Sequence, residues 1–356
     1  MELPLYKMTN RTPTLLWNDS CAIQELKESI QWGATGATTN PVIVGEVLKK
    51  EEKVWMKRIE EMIAQNPEKT EIDITWQIIE EMAINGAAIL GPIFNREHKK
   101  KGRLSIQTNP QFWNNADKIL QHAIYFNTLA PNIQVKIPVT EQGVKAIEES
   151  TYHGINVNAT VCFTVPQAIA VAEAVEHGLL HRENENKPIS DMVPVCTIMI
   201  GRVDDWLKVI LEKKDIVIDP GYLNWAGIAV MKHAYAIYKQ RKYRTRLLAA
   251  AYRNVYHWTE LVGADMVLTM PFIWQKRFNA SGIDPVPRID VPVEPKIINA
   301  LNSKFEDFQK AYEEKGMTLG EFEKYGATRR TLRSFIDSYL KLVQVIRDKM
   351  IPNPDI

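Results

Sequence analysis

The sequence predicts an α/β fold in which eight parallel strands, joined by helices, close into a barrel. Short β-rich apolar runs recur along the chain with amphipathic segments between them, and each run stops at a cluster of polar or turn residues. Neither GxGxxG nor GxxxxGK[ST] occurs, which argues against an open doubly wound sheet with its usual phosphate loop.

In order, the runs are TLLWND (14–19), GATGATTN (33–40), RLSIQTN (103–109), IQVKIP (133–138), NVNATVCF (156–163), PVCTIMIG (194–201), RLLAAAY (246–252) and DMVLTMP (265–271). Their number is that of a (β/α)8 TIM barrel. Helical patterns cover 144–149 and 166–175, the second preceded by Thr164 as an N-cap. Two helical insertions are expected: residues 42–90, read as two helices, and residues 219–240, opening at the turn Asp219-Pro220-Gly221. Past the eighth strand, the linker SGIDPVPRIDVPVEP leads to helical stretches at about 295–315 and 328–349. This C-terminal helical extension, about 290–356, is expected to cap the barrel mouth or to mediate assembly. The whole chain, 1–356, is expected to be one barrel domain.

Composition agrees with a large enzyme-sized core, since 45% of the 356 residues are hydrophobic. With 44 basic against 43 acidic residues, the chain lacks the electrostatic footprint of a nucleic-acid binder. An anionic ligand must therefore be met by local charge. The N-terminal MELPLYKMTNRTPTLLW does not read as a secretory signal, and no apolar run approaches the ~18 residues of a membrane span, so a cytoplasmic protein is expected. Cys21, Cys162 and Cys196 are scattered, with no CxxC pair, and read as packed thiols. His177 and His181 are four apart on a helix but lack a third ligand, so no metal is expected. The sequence leaves the oligomeric state open, a homo-oligomer included.

In such a barrel, reactive side chains come from the C-terminal ends of the strands. Those ends supply Asp19, Asn40, Gln107 with Asn109, Lys136, Asn158 with Thr160, Thr197 with Arg202, and Arg253. Lys136 stands in an apolar strand, V-K-I-P, where desolvation would favour the neutral amine and let it attack a carbonyl. A lysine snorkelling from a strand end is the alternative. Each arginine offers a planar, permanently charged fork suited to phosphate, or else a surface ion pair. Asp19 by itself could equally cap the following helix.

Four blocks resemble the transaldolase family. GATGATTNPVIV is similar to its Gly-rich strand ending in T-T/S-N-P. VKIPVTEQGVKAIEESTYHGINVNATVCFTVPQA is similar to its active-site block, a K-I-P lysine followed by G-I-x-x-N-x-T-x-x-F-S and then Q-A. MIGRVDDW resembles V-G-R-x-x-D-W, and AAAYRN with ADMVLTMP resembles A-S-F-R-N and the closing L-T-x-P strand. The matches run from about 14 to 271 in the family's order. The resemblance implies a class I enzyme of carbohydrate metabolism, in the pentose phosphate pathway, that forms a Schiff base on Lys136 without a cofactor and acts on sugars or sugar phosphates. It makes Asp19 the acid/base at the bond being cleaved. Asn40, Asn158 and Thr197 fall at substrate-binding positions, Thr160 at that of a catalytic-water ligand, and Arg202 and Arg253 at those of phosphate ligands.

The chain departs from that pattern at four places. Gln107 stands where a water-assisting glutamate is usual, an exchange also found in the fructose 6-phosphate aldolase branch. Met199 matches neither the phenylalanine of transaldolases nor the tyrosine of that branch, and Thr197 and Ala251 stand where serines are usual. Transfer of a dihydroxyacetone unit is therefore the first reading, on a sugar other than the family's usual pair. Aldolase chemistry without an acceptor is the second. A sugar-phosphate-binding barrel without turnover is the third.

Overall fold

The computed structural model describes residues 2–355. Its strands are β1 (Leu15–Asn18), β2 (Ala34–Thr38), β3 (Arg103–Gln107), β4 (Ile133–Pro138), β5 (Val157–Cys162), β6 (Val195–Ile198), β7 (Arg246–Ala249) and β8 (Val267–Met270). All are parallel, each pairs with its sequence neighbours, and β1 pairs with β8 to close the barrel. Every expected run contributes its strand, trimmed at the ends where the backbone turns away from the ladder.

The barrel interior is divided. On one side Leu15, Trp17, Val195, Leu248, Ala250 and Val267 form an apolar cluster. Gly36 makes room for the Trp17 indole, because a Cβ there would lie 2.6 Å from the ring. On the β3–β6 side the filling is polar and bonded pair by pair. Thr197 Oγ1 donates to Asn158 Oδ1 (2.6 Å), Asn158 Nδ2 donates to Ser105 Oγ (3.0 Å), and Gln134 Nε2 donates to the carbonyls of Val157 and Val193 (both 3.0 Å). Such a network is stable only when each buried group has a partner, and it fixes side-chain orientation where it succeeds.

Segment 42–90 differs from the expectation of two helices. It belongs to three: Pro41–Lys50, Glu52–Gln65 and Glu71–Arg96. No proline or glycine marks the break at Glu51, so the apolar pattern reads through it. The third helix starts at a capping box in which Thr70 and Asp73 satisfy each other's backbone N–H groups. Residues 219–240 form a 3-10 turn, Pro220–Trp225, and the helix Ala226–Arg241, packed against the helix Ile200–Lys213. The helix Val165–Asn184 is capped by Thr164, whose side chain accepts from Gln167 N.

In the tail, the expected stretch 295–315 is two helices, Pro295–Lys304 and Glu306–Tyr312, broken at the buried Phe305. The last helix, Gly326–Met350, packs against the helices Pro41–Lys50 and Glu71–Arg96 and reaches β5. Its start is seated by Trp206, whose ring lies where a Gly326 Cβ would be and whose Nε1 donates to Asp307 Oδ2. Of the two roles the sequence offered this tail, the structure displays the first, a helix laid over the barrel's C-terminal end.

A buried polar joint ties the β6–β8 helices together. Asp204 and His257 are both fully buried and 2.8 Å apart, and Asp204 also accepts from Gly227 N at 2.9 Å. Arg253 N donates to His257 Nδ1 (3.1 Å), which places the imidazole proton on Nε2, facing Asp204. Asp204→Ala strands two buried donors and is expected to cost about 3 kcal/mol of stability, with Asp204→Asn costing less, as measured by denaturant unfolding.

Candidate active site

The strand ends bring Asp19 and Lys136 to one place from opposite sides of the β2–β3 gap. Lys136 is the fourth residue of β4, in register with Gln107 on β3 and Asn158 on β5. Only 4% of it is exposed, and Nζ donates to Thr39 O at 3.3 Å. Burial pushes the amine down to about 8, the Asp19 carboxylate holds it up, and Arg202 pushes it down again. Burial raises the Asp19 carboxyl, against the opposing pull of Lys136, the Thr38 hydrogen bond and Arg202. Thr38 Oγ1 donates to Asp19 Oδ1 at 2.6 Å, so the 2.7 Å contact of Thr38 with Thr269 is donated by Thr269. A β8-to-β2 hydroxyl relay thus aims at the carboxylate.

Gln107 and Thr160 flank Lys136 on the two neighbouring strands. Gln107 Oε1 and Thr160 Oγ1 are both buried without a hydrogen-bond partner. Leaving such atoms unpaired costs about 1–3 kcal/mol each, so the pair marks a place for a water or a substrate oxygen. Thr197 donates to Asn158 Oδ1, and Asn158 Nδ2 gives one of its two N–H groups to Ser105. Asn40 caps the helix Pro41–Lys50, its Oδ1 accepting from Val42 N and Ile43 N. Asn109 is structural: its N–H goes to His122 and its side chain caps Gln111.

Arg202 is largely buried. Its Nη1 donates to Thr331 Oγ1 of the last helix (3.0 Å), and its guanidinium lies 5.3 Å from the Phe335 ring. Burial lowers its pKa to about 10, with the neighbouring Arg253 and Arg330 adding to the effect and Asp205 and Asp19 opposing it. Arg253 is gripped by Asp205, through Nε at 3.0 Å and Nη2 at 2.8 Å, and its Nη1 donates to Tyr252 O. Three guanidiniums thus crowd one side of the mouth with Asp205 as the nearest counter-charge.

Sequence reading did not single out Thr38, Ser105, Thr331, Arg330 or Tyr252. Thr38 and Ser105 could have been found by strand alternation, two residues before Asn40 and Gln107. The Tyr252 hydroxyl is buried without a partner. Burial pushes it well above the usual phenol range, and the Asp19 charge adds to that. Met199 is packed into the core at the head of the helix Ile200–Lys213. Among the described residues no three His, Cys, Asp or Glu side chains stand close enough to hold a metal ion, and no helix is long and apolar enough to cross a membrane. Cys21, Cys162 and Cys196 are buried and unbridged. A cleft of about 760 Å³ lies at the opposite end of the barrel, where Arg244 and Arg246 are already paired with Glu176, Glu183 and Asp265.

The family model described as Transaldolase/Fructose-6-phosphate aldolase matches residues 16–345. The chain belongs to the transaldolase/fructose-6-phosphate aldolase family. It is 30% identical to the transaldolase of Glaesserella parasuis serovar 5 (strain SH0165), over 66% of this chain and 68% of that one. Identity to the transaldolase of Mycobacterium leprae (strain TN) is 26% over the same shares, and to that of Mycolicibacterium smegmatis 27%, over 66% and 69%. Family membership makes this barrel an enzyme of the transaldolase type, with aldolase activity a consistent second reading.

The Asp19–Lys136–Arg202 coupling has a sign that can be measured. Asp19→Asn removes the charge that holds the Lys136 amine up and is expected to move it below about 8, while Arg202→Gln moves it upward. The pH dependence of reductive methylation at Lys136, followed by peptide mass spectrometry, reads both shifts.

Proposed function

We propose that this enzyme transfers a dihydroxyacetone unit from a ketose phosphate to an aldose acceptor through a Schiff base on Lys136. The reading rests on one observation: a buried amine, lowered to about 8, sharing the end of the barrel with a carboxyl group from β1. The neutral Nζ adds to the ketose C2 carbonyl, and loss of water gives an iminium that can accept an electron pair. Asp19, as carboxylate, takes the C4 hydroxyl proton. The C3–C4 bond then breaks, its electrons enter the iminium, an aldehyde leaves and an enamine remains on Lys136. Attack of the enamine on a second aldehyde reverses these steps. Water adding across C2=N then gives a carbinolamine, whose C–N bond breaks to free Lys136 and the new ketose.

Thr160 and Gln107, whose oxygens lack partners, hold the water that leaves and returns. Arg202, with Arg253 and Arg330 beside it, meets the phosphate, while Asn40 and Asn158 meet sugar hydroxyls. Thr197 contributes by orienting Asn158. Gln107 also favours a second reading, an aldolase that releases the three-carbon unit to water, because an amide can position a water but cannot exchange a proton with it. Binding without turnover is the weakest of the readings, since Lys136 and Asp19 are retained and electrostatically coupled. No metal or organic cofactor enters the scheme, and the compartment we propose is the cytoplasm.

Borohydride reduction with fructose 6-phosphate as donor is expected to leave a three-carbon adduct on the wild type and none on Lys136→Met, by intact-protein mass spectrometry. An adduct that persists in Lys136→Met sinks the assignment. Asp19→Asn is expected to lower kcat by about 10²–10⁴. Arg202→Gln is expected to raise the KM of a phosphorylated donor far more than that of dihydroxyacetone itself. Dependence of turnover on an added aldehyde separates transferase from aldolase.

A further inference from the structure

Strand β5 does not run regularly to its end. Between the pairs Ala159–Cys196 and Cys162–Ile198, β5 advances three residues while β6 advances two, so β5 carries one extra residue. Val161 has φ +58°, in the left-handed region that a β-branched side chain avoids. Side-chain direction agrees with a bulge. Asn158 faces the barrel interior, and by alternation so does Thr160; an unbroken strand would turn Cys162 inward next. Instead Cys162 Sγ lies 3.9 Å from Cys196 Sγ, on the outward face opposite Thr197. The bulge therefore ends the inward row at Thr160 and makes its unpartnered hydroxyl the last inward group of β5.

A valine in this conformation relaxes unless its surroundings over-determine it. Gln167, fully buried near the start of the helix Val165–Asn184, supplies the restraint. Its Nε2 donates to Val161 O (3.2 Å) and Val139 O (3.1 Å), and its Oε1 accepts from Phe163 N (2.9 Å) and Thr164 Oγ1 (3.2 Å). Two N–H groups and two lone pairs are the full capacity of a carboxamide. No part of Gln167 is left for a substrate.

We propose that Gln167 is a positioning residue, clamping the strained Val161 bulge so that the Thr160 hydroxyl holds the water that adds across C2=N and hydrolyses the imine. This rests on the role given to Thr160 above. Gln167→Met keeps the side-chain length and removes all four bonds. It is expected to lower kcat by about tenfold to a hundredfold, the scale set by misplacing a reacting group by about 1 Å, and to lower donor KM with it, leaving kcat/KM little changed. Because the slowed step is imine hydrolysis, the fraction of enzyme trapped by borohydride during turnover rises. Val161→Gly, added to Gln167→Met, accepts the left-handed backbone without steric cost and recovers part of kcat.

A kcat loss that Val161→Gly leaves untouched, or a loss without build-up of the trapped adduct, overturns the proposal. Should Gln167→Met fail to fold, Gln167→Asn, too short to span both carbonyls, carries the same expectations. Should the wild type give no adduct at all, the imine reading fails separately, and the clamp is read from thermal unfolding of the double-mutant cycle. There, non-additivity of the two substitutions supports the clamp, and additivity overturns it.

Discussion

Everything at the mouth of this barrel depends on an amine held almost entirely out of bulk water. A lysine 4% exposed, on a central strand, must be neutral or must face a charge of opposite sign, since an unpaired ammonium in that setting costs more than losing its proton. The structure gives Lys136 a little of both. Burial pulls the amine down and Asp19 holds it up, with a balance near 8 and no unpaired buried charge. The same balance constrains Asp19, whose carboxyl is raised by burial and steadied by Thr38 and Lys136. Neither group could be replaced without moving the other.

The rest of the interior serves that pair by being polar where it must be and dry elsewhere. The β3–β6 side carries Ser105, Gln134, Asn158 and Thr197 in a bonded network that reaches the strand position next to Lys136, while the other side is filled by Trp17 and aliphatic groups. A network of this kind locks rotamers, which a site built on strand ends needs more than a site built on mobile loops. The tail completes the enclosure. Thr331 and Phe335 hold the Arg202 guanidinium from above, so the cation that would meet a phosphate is positioned jointly by the barrel and by a helix more than a hundred residues later in the chain.

How much of this was legible in the sequence follows from what each feature depends on. Strands were readable because they depend on local alternation, and so were the positions at their C-terminal ends, where Asp19, Gln107, Lys136 and Thr160 lie, with Arg202 in the first turn of the helix after β6. The helix break at Glu51 was not, because tertiary packing interrupts a pattern that local propensity would continue. The commitment of Thr197 to Asn158, the grip of Asp205 on Arg253 and the use of Asn40 as a cap were not either. A side chain's free hydrogen-bonding capacity is what its neighbours leave, and sequence does not name those neighbours.

Two orphaned oxygens, Gln107 Oε1 and Thr160 Oγ1, argue for what the site is built around. A folded chain could have used an alanine or valine at either position and avoided the cost of an unpaired buried acceptor. It keeps both, on the strands either side of Lys136, and it bends β5 into a strained bulge at the residue after one of them. Acceptors in that placement suit a small molecule that donates hydrogen bonds beside the Lys136 amine. A glutamate in place of Gln107 would add a buried negative charge on the strand next to Lys136, holding its amine further up. The amide keeps the acceptor without that charge and leaves the Lys136 amine to burial, Asp19 and Arg202.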